Sequence, residues 1–193
     1  MSDNFHILYR INATDEIVFA NDDWSRFAVA NDAPELVAEK ILNRSLWDFI
    51  TDATTEEVYR KLIKKARDGN VCNFKFRCDA PDFRRLLEMT ITLRERKSVE
   101  IETRVIQSEK RPRQNILRKD ARLRDSVLTV CSWCAKIDTG AGNWQEIEEA
   151  IENLGLFELE NLPQLSHGMC ASCYRIITTA TEFSAKHSAD LAV

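Results

Sequence analysis

Residues 16–28 read EIVFANDDWSRFA, and the fold turns on this stretch. Its first five residues are β-rich, whereas Asn21, Asp22 and Asp23 are capping residues that open a segment with Trp24, Phe27 and Ala28 at helical spacing. A strand therefore passes directly into a short amphipathic helix over 21–30. Upstream, Ile7, Tyr9 and Ile11 alternate with Leu8 and Arg10, and Asn12-Ala13-Thr14-Asp15 supplies a turn, so an N-terminal hairpin precedes the helix. Downstream comes a short apolar piece at 45–50. Thr51-Asp52 then opens a longer helix to Arg67, with Val58, Leu62, Ile63 and Ala66 on one face and Asp68-Gly69-Asn70 as its stop. Three alternating runs, 71–78, 84–94 and 99–106, read as strands. The order β-β-α-α-β-β-β predicts an α+β fold, a five-stranded antiparallel sheet with helices on one face.

The 193 residues are 44% hydrophobic and 30% charged, with five Gly and four Pro, the make-up of an ordered globule. Mean hydropathy is −0.35. No apolar run approaches the roughly 20 residues that cross a bilayer, and residues 1–4 carry no basic-then-apolar leader. A cytoplasmic location without membrane contact is expected. The net charge of −4 argues against a dedicated nucleic-acid binder, yet it is unevenly spread: residues 84–124 hold 13 Lys and Arg against 6 Asp and Glu. Arg111, Arg113, Arg118, Lys119, Arg122 and Arg124 are the candidates there for contact with phosphate or an acidic partner.

Four of the six cysteines form two pairs, Cys131/Cys134 and Cys170/Cys173. Two Cys-x-x-Cys turns let four thiolates converge on one tetrahedral ion, and zinc is the metal that suits four sulfurs; four bare thiols or a redox disulfide are the alternatives. The 35 residues between Cys134 and Cys170 must pack a helix, expected over 143–154, between the ligand pairs. A second helix is expected over 174–185. One structural Zn2+ per chain is predicted, in a closed site with no position for a reactive water. His167 is expected to orient a turn or donate to a thiolate rather than bind metal. Cys72 and Cys78, six apart on one strand and ~20 Å from each other if extended, cannot pair.

Sequence order divides the chain into 5–107, a basic linker over 108–126, and a metal module over 127–187. Within the linker, Ile116, Asp120, Leu123 and Val127 are spaced for a short helix. The first part, through EIVFANDDWSRFA and LNRSLWDFI followed by a Thr-Glu-Glu helix, resembles a PAS domain. Asn43-Arg44-Ser45 departs from the Gly usual before its Ser-Leu. The last part, VCSWCAKID…NWQEIEEAI…LSHGMCASCYRI, is similar to a short cysteine-rich module that follows PAS or receiver domains in bacterial signalling proteins. It keeps Cys131, Trp133, Cys134, Ile137, Trp144, Ser166, His167, Gly168, Cys170 and Cys173 and departs at Ala135 and Ala171.

These resemblances imply a non-enzymatic signal-transduction protein: a PAS-like sensing or docking domain coupled to a zinc module that engages a protein partner. They also imply pairing of two copies through terminal elements. A small molecule between sheet and helices would meet Trp24, Phe27, Trp47, Phe49, Phe74, Phe76 and Met89, which otherwise serve as core. Haem is not expected, since His6 is the one histidine in this half and lies on the first strand; flavin photochemistry is not expected, since 43–48 holds no cysteine. No phosphate loop or nucleophile–base set is legible, so no catalytic centre is expected. The alternative is a transcriptional regulator gripping nucleic acid with the basic linker and zinc module, although 125–193 holds 3 basic residues against 10 acidic ones.

Overall fold

The structure, a computed structural model, describes residues 5–118, 123–156 and 162–187. The expected hairpin is β1 (His6–Ile11) with β2 (Ile17–Ala20). Helices α1 (Asp22–Ala30), α2 (Ala38–Ile41) and α3 (Ala53–Arg67) follow, with a 3-10 turn at Leu46–Phe49. Strands β3 (Cys72–Arg77), β4 (Phe83–Leu93) and β5 (Val99–Lys110) complete an antiparallel sheet of order β2-β1-β5-β4-β3. The mixed α+β class and the five-stranded antiparallel sheet are as expected.

Alternation divides the sheet into two faces. Tyr9, Ile101, Ile91 and Cys72 lie in register across β1, β5, β4 and β3 and are buried against Val58, Leu62 and Ile63 of α3. On the opposite face charges pair: Arg10 Nε donates to Glu100 at 2.7 Å, and Arg94 and Arg104 pair with Glu100 and Glu102. His6, on that polar face, is bonded to Glu102 at 2.6 Å.

The strand-to-helix passage is held by Asn21. Its side-chain oxygen accepts from Trp24 N at 3.0 Å and Leu8 N at 3.1 Å, and its amide donates to His6 O at 2.7 Å. One residue thus caps α1 and ties it to β1. Asn21→Ala should cost about 1–2 kcal/mol, measurable as a lowered urea midpoint with an unchanged slope.

The second part of the chain departs from expectation at its start. β5 runs on to Lys110, a 3-10 turn lies at Asn115–Leu117, and β6 (Leu123–Cys131) takes the place of the short helix expected near Leu123 and Val127. Residues 116, 123 and 127 satisfy helical spacing, but Val127 to Cys131 pairs in parallel with β9 (Leu162–Gly168), and this pairing decides the backbone. With β7 (Ile137–Asp138) and β8 (Trp144–Gln145) they form a sheet of order β8-β7-β6-β9. Helix α4 (Ile147–Asn153) buries Ile147, Ala150 and Ile151 against Val130, Ile137 and Ile116. Helix α5 (Ala171–His187) follows. Among the described residues, no helix is long and apolar enough to cross a membrane.

Candidate metal centre

Each cysteine pair sits where a strand ends. Cys131 is the last residue of β6, and the chain turns back at once: Ala135 N donates to Cys131 O at 2.9 Å and Cys131 N to Lys136 O at 2.8 Å. Cys170 lies between β9 and α5 and Cys173 in the first turn of α5, where Tyr174 N donates to Cys170 O at 3.0 Å. Because β6 and β9 run parallel, both strands deliver their cysteines to the same end of the sheet. Ser132 N donates to Gly168 O at 2.8 Å and locks the two turns together. Gly168 allows this approach, since a Cβ there would stand 2.8 Å from Thr129 Cγ2.

The sulfurs of Cys131, Cys134, Cys170 and Cys173 all lie within 4.8 Å of one another, and this cluster can hold a metal ion. Cys134 and Cys170 Sγ are 3.9 Å apart. Four sulfurs at ~2.3 Å from a tetrahedral ion stand about 3.8 Å apart, so the donor set fits a four-thiolate site. Backbone N–H groups supply part of the charge compensation: Cys170 N points to Cys131 Sγ and Cys173 N to Cys170 Sγ, each at 3.4 Å.

Hydrogen bonds among the sulfurs of Cys131, Cys134 and Cys173 split their acidities. Hydrogen bonds from the Cys134 and Cys173 thiols pull Cys131 far below the usual thiol range. Cys134, bonded to that sulfur, is pushed up to about 11, and Cys173 is pushed up further for the same reason.

Ala135 closes the first turn with φ 57°, in the left-handed region. A Cβ is unfavourable there by ~1 kcal/mol. Ala135→Gly should therefore raise stability by up to about 1 kcal/mol, seen as a higher thermal midpoint with the metal content unchanged.

Trp133, between the paired cysteines, packs across the inner face of the five-stranded sheet. Its ring lies 4.6 Å from Phe74, 6.2 Å from Phe76 and 6.4 Å from Tyr59. Arg77 N donates to Trp133 O at 2.8 Å, and Thr55 Oγ1 to Ser132 Oγ at 3.2 Å. Cys131, Cys170, Cys173 and Ile177 accordingly share one core with Ile91, Ile101 and Leu62.

A charged cluster lies beside this contact. The Asp79 carboxylate, 2% exposed, pairs with Arg77 and, at 3.2 Å, with Arg111, which is 6% exposed. Arg77 also reaches Glu146 at 2.5 Å, and Arg111 and Arg84 each reach Glu148 at 3.0 Å. Asp79-Ala80-Pro81-Asp82 reads as an ordinary surface turn, and nothing in its spacing signals a buried carboxylate.

Arg111 is withdrawn as a phosphate contact, being buried in these ion pairs. Arg113 lies 4.0 Å from Asp82, and Arg118 is partly buried with interactions of its own. Lys119 and Arg122 lie outside the described residues, as does the side chain of Arg124. His167 is exposed on β9 and is not among the clustered ligands; it lines a cavity of about 360 Å³ with Ser132, Trp24 and Phe49. Six of the seven pocket candidates, all but Phe27, belong to or pack against one core, but they do not line one cavity. Phe74 and Phe76 face Trp133 and a cavity of about 770 Å³. Trp47 packs under Arg60 of α3, whose guanidinium carbon stands 3.8 Å from the ring centre, and its indole N–H donates to Asp15 at 3.0 Å. Phe27 packs edge-on against Phe5, and Met89 is core, accepting from Tyr59 Oη at 3.8 Å. Cys78 follows the end of β3, and Cys72 is buried with its thiol pushed up by desolvation.

No protein-family model matches the chain, and no curated protein matches it.

Proposed function

We propose that the chain is a non-enzymatic signal-transduction protein of the cytoplasm, in which a PAS-like domain over 5–107 senses a ligand or docks a protein and a structural zinc module over 127–187 engages a partner. The five-stranded antiparallel sheet agrees with the resemblance of the first part. The observation that carries the reading is the convergence of four cysteine sulfurs directly behind Trp133, whose ring lies on the inner face of that sheet. Zinc bound by four thiolates is closed to water and supplies folding energy rather than catalysis. A reducing compartment keeps such thiols available for metal. Because Trp133 is flanked by two ligands, a shift of β3 or α3 is felt at the cluster, and a change at the cluster is felt by the sheet.

Native mass spectrometry of gently purified protein tests this reading. One zinc per chain is expected, and the same spectrum reports subunit number. A retained organic molecule selects ligand sensing, and none selects protein docking. Protein that arrives without zinc and does not take it up overturns the metal module and with it the proposed coupling.

A further inference from the structure

Strand β3 is an edge of the first sheet. Backbone groups in an antiparallel strand alternate in direction. Cys78 N donates to Arg85 O, toward β4, whereas Arg77 N donates away from it to Trp133 O. The N–H and C=O groups of Asn73 and Lys75 therefore also point off the edge. Among the described residues, the Arg77–Trp133 bond is the one backbone hydrogen bond across it.

That open edge borders the cavity of about 770 Å³, walled by Leu62, Phe74, Phe76, Trp133, Ile176 and Ile177. Val71 and Ile176 at its lips are 63% and 67% exposed. The side chains of β3 sort by face. Cys72, Phe74 and Phe76 lie on the inner, groove side; Asn73, Lys75 and Arg77 lie on the polar side, with Lys75 in register with Glu88 of β4. Lys65, Lys75 and Arg77 line the groove, Arg77 being already paired with Asp79 and Glu146, and no carboxylate is among the described lining residues.

We propose that this edge is a docking site for an extended acidic peptide that adds to the sheet as a sixth strand beside β3. Its backbone pairs with Asn73 and Lys75, alternate apolar side chains enter the groove over Phe74 and Trp133, and the intervening acidic side chains lie beside Lys75 on the polar face. The Trp133 turn already occupies the Arg77 end, which leaves room for about five residues, roughly 17 Å of strand. A slim peptide fits such a gap; a second copy of β3 would bring its own Trp133 turn and α5 into the same space. This surface rests on the docking reading above and names the partner's chemistry.

The test is fluorescence anisotropy with fluorescein-labelled Glu-Val-Glu-Val-Glu-Val-Glu on the zinc-loaded full chain. Micromolar binding is expected, with about a tenfold loss when the amides facing β3 are N-methylated. Lys75→Pro, which removes an outward N–H at an edge position that tolerates proline, should also cost about tenfold. Lys75→Glu keeps that N–H; it should weaken the Glu-Val peptide and strengthen its Lys-Val counterpart. Absence of binding up to about 1 mM peptide, or indifference to N-methylation or to the Lys75 charge, overturns the proposal. Dimerisation abolished by Lys75→Pro puts a second copy on the edge and overturns it as well. Zinc content of the same sample separates the two ideas: failed binding with zinc retained removes this surface and leaves the parent reading standing.

Discussion

Cys170→Ser is expected to yield a protein that binds zinc more than about 100-fold more weakly than the native chain and melts at a far lower temperature. Residues that merely support a metal ligand are worth ~10–100-fold in affinity, so loss of a ligand costs more. The energetic effect is large because the binding free energy of a structural zinc, about 10–16 kcal/mol in small modules, is largely folding free energy. Cys170 is buried, its sulfur accepts from Cys173 N, and its own N–H points to Cys131. A serine oxygen leaves the turn intact while removing a soft donor. Competition with a chromophoric chelator measures the affinity, and the cobalt-loaded protein should lose part of its thiolate charge-transfer absorption. Trp133 emission supplies a third readout, since its ring is clamped between the cluster and Phe74. Native-like zinc affinity in the variant would remove Cys170 from the ligand set.

Asp79→Ala should destabilise the protein by about 3–5 kcal/mol while leaving the four sulfurs in place. The cost comes from what remains: Arg77 and Arg111, 15% and 6% exposed, would keep buried positive charges with only Glu146 and Glu148 to answer them. Those two glutamates belong to the last part of the chain, Arg77 to the first and Arg111 to the segment between them, so the cluster ties the three together. Removing the carboxylate together with one cation, as in Asp79→Ala with Arg111→Met, should recover part of the loss, because a buried ion pair is often replaceable by apolar groups. Urea unfolding of the three proteins measures both effects. An Asp79→Ala variant within 0.5 kcal/mol of the parent, the usual range for a surface change, would mean that the carboxylate is solvated and the cluster open.

Much of this architecture is legible in sequence. The hairpin, the Asn21 and Asp52 caps and the three alternating strands follow local rules, and each element lies within a few residues of its expected place. The cysteine pairs are equally legible, because their spacing carries the chemistry. Other features depend on which surfaces meet. Trp133 and Ile177 belong by sequence order to the metal module, yet they pack on the first sheet. Leu123 and Val127 carry helical spacing, but a parallel partner 37 residues further on, Gln164 opposite Val127, makes the segment a strand. The basic character of 84–124 is real, but Arg111 spends its charge inside the protein and Arg94 and Arg104 spend theirs on the polar face of the sheet. Composition counts charges without saying which are already answered.

The joint packing of Trp133, Cys173 and Ile177 on the first sheet also bears on how the chain is made. A ribosome delivers residues 5–110 first, and at that stage Phe74 and Phe76 on the inner side of β3 lack the Trp133 ring that later packs on them. Their cover arrives only after Ile177 has been synthesised, on the order of ten seconds later at ordinary elongation rates. The nascent first half is thus an incomplete folding unit that carries a bare aromatic patch through translation. A fragment ending near Lys110 should be recovered with holding chaperones, whereas the full chain should leave them.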